Sequence, residues 1–308
     1  MAVMRSTDFR SIVEPLLNEA FDGVYEQRDD EYAAIFDVKP GIKRNYHEDV
    51  VLYGFPMAPE LPDGTAVEYR SGGELYRAQY VYRVWGLAFA LTKVLVEDGD
   101  HIRLGPIYAE HLAQSMDETR ETICANILNR STNSSYPGGD GVSLVASNHL
   151  DAIGSVTGQP STSNLLTSGA FSQTTLEASL IQVRKAQDAT GRRIRLRPMQ
   201  LIVSPDNEFQ AEVVLKSVLR AGTPNNDINP VKSKGLLADG AAVITRLTST
   251  TAWYIQTNCS RGIRLMTRRP LEKSMEGDFE TDSMRYKATR REIPGWTDWR
   301  NIFGNAGV

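Results

Sequence analysis

Cysteine is nearly missing from this chain: 308 residues hold two, Cys124 and Cys259. They are too far apart for paired metal-ligand spacing and too few for a disulfide framework, so buried free thiols in a reducing compartment are expected. Histidine is scarce as well. His47, His101, His111 and His149 never fall at a paired metal spacing, and no G-x-S-x-G elbow accompanies His149 and Asp151. No window reaches the ~20 apolar residues of a membrane span, and MAVMRSTDFR carries an Asp and no apolar core, so it does not read as a signal peptide. A basic excess is also lacking, because 34 Lys and Arg face 38 Asp and Glu for a net charge of −4. That balance excludes a generically basic nucleic-acid coat. With 41% hydrophobic and 23% charged residues, the chain reads as a soluble globular protein.

What charge there is lies unevenly. Residues 1–40 hold four Lys or Arg against nine Asp or Glu, whereas residues 184–220 hold eight against four and residues 261–308 ten against seven. Opposite signs at the two ends suit head-to-tail contacts between copies. Near the start, Phe9, Ile12, Val13, Leu16, Leu17, Ala20 and Phe21 have helical spacing interrupted by Pro15, which predicts a short amphipathic arm. Further on, Tyr76, Ala78, Tyr80 and Tyr82 alternate with Arg77, Gln79, Val81 and Arg83, a strand with two different faces. Together with Pro56, Pro59, Pro62 and the Gly72-Gly73 pair, this predicts a long hairpin over about 49–84, too thin to have its own core.

Pro106 is expected to open a long helix with Tyr108, Leu112, Met116, Ile123 and Ile127 on its buried face. A loop-rich passage follows to residue 172. A second helix is signalled by Thr174 with Glu177 as a capping box and by a stop at Gly191. The strand RRIRLRPMQLIVS leads to a third helix capped by Ser204 and ending near Gly222, then to short strands at AAVITRL and AWYIQT. Two strands around a polar turn close the chain, the second alternating Met284, Tyr286 and Ala288 with Arg285, Lys287 and Thr289. The sum is an α+β chain.

Motifs for chemistry are weak. GGDG at 138–141 lacks the Lys-Ser/Thr of a phosphate loop and reads as a turn. Arg192, Arg193, Arg195 and Arg197 could bind phosphate, but pairing with carboxylates on neighbouring structure is the expected role. No catalytic constellation, cofactor or metal site emerges. Extended elements that cannot stabilise themselves point instead to an assembly subunit whose fold and oligomer are completed together.

The order of these elements resembles the major capsid proteins of tailed bacteriophages with the Hong Kong 97 shell fold. The arm, the hairpin, VWGLAFALTKVLVEDGD leading into the helix from Pro106, GRRIRLRPMQLIVSPDNEFQAEVVLKS, NDINPVKSKG, TAWYIQT and GDFETDSMRYKATRREIPGWTDWRNIFG carry the likeness, which is most similar to Mu-like and related heads. The resemblance implies an N-terminal arm over 1–47, an extended hairpin loop over 48–84, a peripheral domain with a spine helix over 85–131, an axial domain over 132–261, peripheral return strands over 262–293 and a C-terminal return over 294–308. It implies hexamers and pentamers closing into an icosahedral virion shell around double-stranded DNA held without sequence specificity. Arg70, Gly72, Gly73, Arg77, Tyr80 and Arg83 of the hairpin, and Asn225, Asn226 and Asp227 of a loop near the capsomer axis, would make intersubunit contacts. Further expected partners are a separate scaffolding protein, since no long coiled-coil leader precedes the arm, a portal protein and a cement or decoration protein, with no membrane involved and assembly in the host bacterial cytoplasm. Some relatives weld their shells through a hairpin lysine, but no lysine lies between Lys43 and Lys93, so a non-covalent shell is expected. An encapsulin-like nanocompartment shares the fold and is the alternative. A cytosolic enzyme is the alternative of a different class.

Overall fold

The computed structural model describes residues 6–25, 29–40, 44–92, 94–95, 98–150, 162–220, 227–278 and 283–305, with the side chains of the first helix described from Val13 onward. Helix α1 (Ser6–Tyr25) runs through Pro15 instead of breaking there. Val13, Leu17 and Phe21, four residues apart, are buried against Ala109, Leu112, Ala113 and Met116 of a long helix and against Tyr286 and Ala288. A proline removes one backbone N–H, and burial of a continuous apolar stripe outweighs that loss. The arm is therefore packed on its own chain.

After a 3-10 turn at Glu31–Ala34 come strands β1 (Asp37–Pro40), β2 (Tyr46–Tyr53), β3 (Gly73–Val81) and β4 (Arg83–Thr92), then helix α2 (His101–Asn129). Helix α2 starts five residues before the expected Pro106, which sits inside it. Its buried face also differs from the expectation. Ala109, Ala113, Cys124, Ala125 and Leu128 join Leu112 and Met116, Ile123 and Ile127 are only half-buried, and Tyr108 is exposed. The reason is steric: small Ala109 and Ala113 admit α1 at close range, and a Cβ on Gly105 would lie 3.1 Å from Leu17.

Helix α3 (Gln173–Arg184) is capped two residues earlier than expected, by Ser172 with Thr175. Thr175 N–H donates to Ser172 Oγ at 3.2 Å and Ser172 N–H donates to Thr175 Oγ1 at 2.9 Å, leaving Glu177 to accept from Gln173 instead. The helix stops at Lys185, short of Gly191. Strand β5 (Pro198–Val203) omits the arginine string, which is irregular chain. Helix α4 (Glu208–Lys216) is not capped by Ser204, whose hydroxyl donates to Thr250 O at 3.1 Å. It ends well before Gly222. A short helix α5 (Pro230–Ser233) and strands β6 (Ala241–Val243), β7 (Trp253–Thr257), β8 (Ile263–Asp278), β9 (Ser283–Trp296) and β10 (Ile302–Asn305) complete the order.

Two four-stranded sheets result, β1-β8-β9-β4 and β10-β7-β5-β6, beside the two-stranded hairpin β2-β3. Helices α1 and α2 cover the first sheet. In the second, Leu201, Val203, Trp253, Ile255 and Phe303 meet Leu176, Leu180, Val183 and the α4 residues Ala211 and Val214 on one side. On the other side, Ile202, Tyr254 and Ile302 meet Cys124, Ala125 and Leu128 of α2, so this helix bridges both sheets. Strand β8 shifts register between Arg269 and Glu272, where Pro270 has no N–H for the ladder.

Charge ties the same elements together. Glu292 of β9 is fully buried, 3.1 Å from Arg120 of α2 and 3.5 Å from Arg290. Arg120 donates to Tyr32 Oη at 2.7 Å, and Tyr32 N–H donates to Glu121 at 3.1 Å. Burial, with Glu31 nearby, pushes the Glu121 carboxyl up to about 7. Arg246 spans Glu31 at 2.7 Å and Glu118 at 2.6 Å, and Asp22 meets Lys273 at 2.5 Å. Asp22 and Glu31 of the acidic N-terminal block thus pair with bases of this same chain. Replacing Glu292 by Gln leaves two guanidiniums facing a neutral group in a dry site, and should lower unfolding free energy by about 3–5 kcal/mol in urea titrations of the soluble subunit. A loss under 1 kcal/mol would show that the carboxylate is dispensable.

Candidate intersubunit surface

Alternation makes the β2-β3 hairpin two-faced, and one face is anchored. Tyr76 and Ala78 are buried and Tyr80 is half-buried, while Arg77, Gln79, Val81 and Arg83 are exposed. Tyr76 Oη donates to Thr297 O at 2.9 Å, and Tyr80 Oη donates to Trp296 O and lies 3.1 Å from Thr297 Oγ1. Burial pushes both phenols well above their ordinary value, so each stays a neutral donor. Asp49 of β2 accepts from Arg264 at 2.9 Å and from Thr297 at 2.8 Å. The expected need for a supporting surface is met at the hairpin's root by the chain itself.

Glycines make that fit possible. A Cβ on Gly139 would stand 2.7 Å from Arg77 O and 2.8 Å from Ala78 backbone, so the GGDG turn lies directly on β3. Gly295 faces the Tyr80 ring with equally little room, a Cβ there falling 2.5 Å from it. The turn itself closes by Gly141 N–H donating to Gly138 O at 3.1 Å, with Gly141 at φ 79°.

Beyond Tyr53 the hairpin changes character. All nineteen residues 54–72 are exposed and lack regular structure apart from a turn at 63–64. Among them Phe55, Met57, Leu61, Val67 and Tyr69 are large and apolar, Tyr69 being 96% exposed. Gly72 ends this loop and Gly73 begins β3. A Cβ on either would run into Tyr53 within 2.7 Å, which is what sequence alone could not tell of the pair. Arg70 pairs with Glu68 at 2.5 Å, Arg77 pairs with Glu74 and lies 3.4 Å from Glu48, and Arg83 makes no ion pair with any described residue. Asp227 lies apart from these, its carbonyl accepting from Arg220 N–H at 2.7 Å beside the Leu219–Ile228 bridge. Asn225 and Asn226 lie outside the described residues.

The residues weighed for chemistry are placed for structure. His149 is fully buried, its Nδ1 2.6 Å from Asp140 and its Nε2 3.0 Å from Asn164, and it stacks on Trp299 at 4.2 Å. No substrate reaches a ring with no exposed surface; Asp151 lies outside the described residues. Cys124 is buried and Cys259 half-buried, and burial raises both thiols, so neither supplies a thiolate. Of the arginine string, Arg192 pairs with Asp188 at 2.8 Å, whereas Arg193, Arg195 and Arg197 are exposed and meet no carboxylate among the described residues. Among the described residues no group of three His, Cys, Asp or Glu could hold a metal, and no helix is long and apolar enough to cross a membrane.

A family model described as phage capsid protein matches residues 79–305. The chain belongs to this phage capsid family. None of the curated proteins matches it in sequence. Its fold is similar to that of the virus-like particle from Pyrococcus furiosus, at 10% identity and a TM-score of 0.52 over 94% of this chain and 98% of that one. It is likewise similar to the procapsid of bacteriophage JBD30, at 12% identity and a TM-score of 0.52 over 98% and 76% of the two chains. The capsid of Myoviridae phage XM1 gives 10% identity and the same TM-score over 89% of each. The α+β fold expected of a tailed-phage shell subunit is the fold observed, while nothing in the family match singles out Mu-like heads.

The glycine contacts are testable in this capsid subunit. Gly139→Ala must push the 138–141 turn off the β3 backbone, which cannot yield as a side-chain tip would, and is expected to cost about 1–3 kcal/mol in chemical denaturation. Unchanged stability would mean that the turn does not bear on the hairpin root.

Proposed function

We propose that this chain is the major capsid protein of a tailed bacteriophage, assembling as hexamers and pentamers into an icosahedral head around double-stranded DNA. Family membership supports the shell role. The structural observation that carries the assembly reading is the 54–72 loop: five large apolar side chains stay in water on a hairpin whose root is firmly anchored. A patch of that kind marks an interaction site. On this reading α2 with the β1-β8-β9-β4 sheet is the peripheral domain, the β10-β7-β5-β6 sheet with α3 and α4 is the axial domain, and residues 294–308 return to the axial sheet. The loop lies over a neighbouring subunit, with Arg70, Gly72 and Gly73 at its end, while Arg77, Tyr80 and Arg83 flank its root. Asp227 approaches the capsomer axis. The role is structural, not enzymatic. A separate scaffolding protein, a portal protein and a cement protein are the expected partners during assembly in the host cytoplasm, and packaged DNA is held without sequence specificity by neutral or basic inner faces.

Deleting residues 59–73 should leave the subunit soluble and folded but abolish closed shells in electron micrographs, because the hairpin core lies at its root. Shells of normal size from the deletion variant would remove the loop from assembly. A second reading, a protein nanocompartment, uses the same shell fold and is the alternative. Nuclease-protected DNA inside purified particles supports the phage head; a protein cargo without DNA supports the compartment.

The shell is non-covalent on this reading. No lysine lies between 43 and 93, and arginines stay protonated, so the hairpin offers no amine nucleophile. Particles boiled in detergent should release one band at the monomer position, and a ladder resistant to reducing agent would contradict it.

A further inference from the structure

Between Gly191 and β5 the chain alternates in exposure. Arg193, Arg195 and Arg197 are exposed, whereas Ile194 is half-buried and Leu196 and Pro198 are buried. Ile194 and Leu196 pack into the core that holds Leu201, Trp253 and Phe303. The three arginines therefore share the outward face of an extended segment, successive ones about 6.6 Å apart at ~3.3 Å per residue. Both ends of this row are held through the backbone. Arg193 forms a bridge with Gln187, and Ile194 N–H donates to Ala186 O at 3.1 Å. At the other end Arg197 N–H donates to Asn258 Oδ1 at 2.8 Å, and Asn258 N–H donates to Arg197 O at 3.0 Å.

The tie to Ala186 also brings the end of α3 beside the row, with exposed Arg184 and Lys185. None of these five cations makes an ion pair with a described residue, and the one nearby acid, Asp188, is already taken by Arg192 at 2.8 Å. Elsewhere the fold answers its arginines: Arg120, Arg246, Arg264 and Arg290 each lie within 3.5 Å of a carboxylate. Like charges gathered in one place repel each other, a cost that an ordinary solvated surface avoids by interspersing acids. A polyanion removes that cost. Because the chain as a whole carries a net charge of −4, DNA is repelled by most of it and needs a local basic patch. Arginines repeated along an extended backbone match a polymer with one charge per unit, and each guanidinium offers a phosphate two parallel donors.

We propose that Arg193, Arg195 and Arg197, with Arg184 and Lys185 beside them, bind the phosphodiester backbone of double-stranded DNA. The proposal rests on the capsid reading and adds to it the place on the subunit where packaged DNA is held. Contacts of this kind position the duplex and carry no sequence information.

Fluorescence anisotropy of the full-length soluble subunit with short labelled duplexes of two unrelated sequences tests the site. Both duplexes should bind equally and more weakly as salt rises. Arg193→Gln with Arg195→Gln should weaken binding by at least about tenfold at low salt and reduce the slope of log affinity against log salt by about 2, while circular dichroism and melting stay as in the parent. Arg103→Gln with Lys287→Gln removes the same charge from exposed positions elsewhere and should leave most of the affinity in place. Equal losses in the two double variants would reduce the effect to net charge and overturn the proposal. A polyglutamate peptide that binds the parent as tightly as DNA would assign the row to an acidic protein segment and overturn it as well. In electron cryo-microscopy of DNA-filled shells the row should face the outermost layer of DNA. A row on the outer surface, or beneath a neighbouring subunit, overturns this inference and leaves the capsid reading standing. Failure of the parent chain to form shells under any assembly condition would instead sink the capsid reading, and the anisotropy result would still decide whether the row binds DNA.

Discussion

Glu292 is a carboxylate without contact with water, and the fold depends on how that is tolerated. A lone buried charge would be prohibitive, so two guanidiniums must be delivered to it, from Arg120 on α2 and from its strand neighbour Arg290. Bringing Arg120 there fixes α2 against β9. Once fixed, Arg120 holds the Tyr32 hydroxyl, and the next residue of the helix, Glu121, takes the Tyr32 backbone N–H. The chain before β1, the long helix and the first sheet are thereby one unit, and Arg246 extends the tie to the loop after β6.

Around that unit the apolar packing divides by side-chain size. Alanines on the N-terminal half of α2 admit α1, and Cys124, Ala125 and Leu128 on the other half seat the second sheet. One helix of 29 residues, about 43 Å at ~1.5 Å per residue, thus spans both sheets, and Ile263 and Leu265 of the first share a core with Ile202, Tyr254 and Ile302 of the second beneath its C-terminal half. The hairpin is added through hydrogen bonds of Tyr76, Tyr80 and Asp49 to the 296–297 corner and through the close approach of Gly139 and Gly295. The result is an anchored root carrying a loop whose residues 54–72 are all exposed in the single chain.

Physical limits explain which expectations failed. The α2 face was misassigned because helical periodicity weighs large apolar residues, and the contact with α1 is made by alanines and a glycine. The α3 cap was displaced because Ser172-x-x-Thr175 and Thr174-x-x-Glu177 offer overlapping signals, and only the tertiary path of the chain selects between them. The candidate surface was half legible. Arg77 and Arg83 stood out by alternation with tyrosines, but the hollow beside Arg83 is assembled from Trp85, Ile127, Tyr136 and Trp296, which belong to four separate segments.

Determined by the sequence alone were the elements whose evidence is local: the two-faced β3 strand, the β8-β9 pair, a long helix through the residues after Pro106, and a lysine-free hairpin that no surface of its own could support. Period-two and helical spacing record burial on one side, and burial of that kind is written in consecutive residues. Left to the tertiary structure were the matters that depend on distance in space. The Glu292–Arg120 pair joins positions 172 residues apart, and Glu31 meets Arg246 across a similar span. Asp22 of the acidic block meets Lys273 of the basic C-terminal block because the fold brings them within 3 Å, and no pattern in a linear text contains that distance.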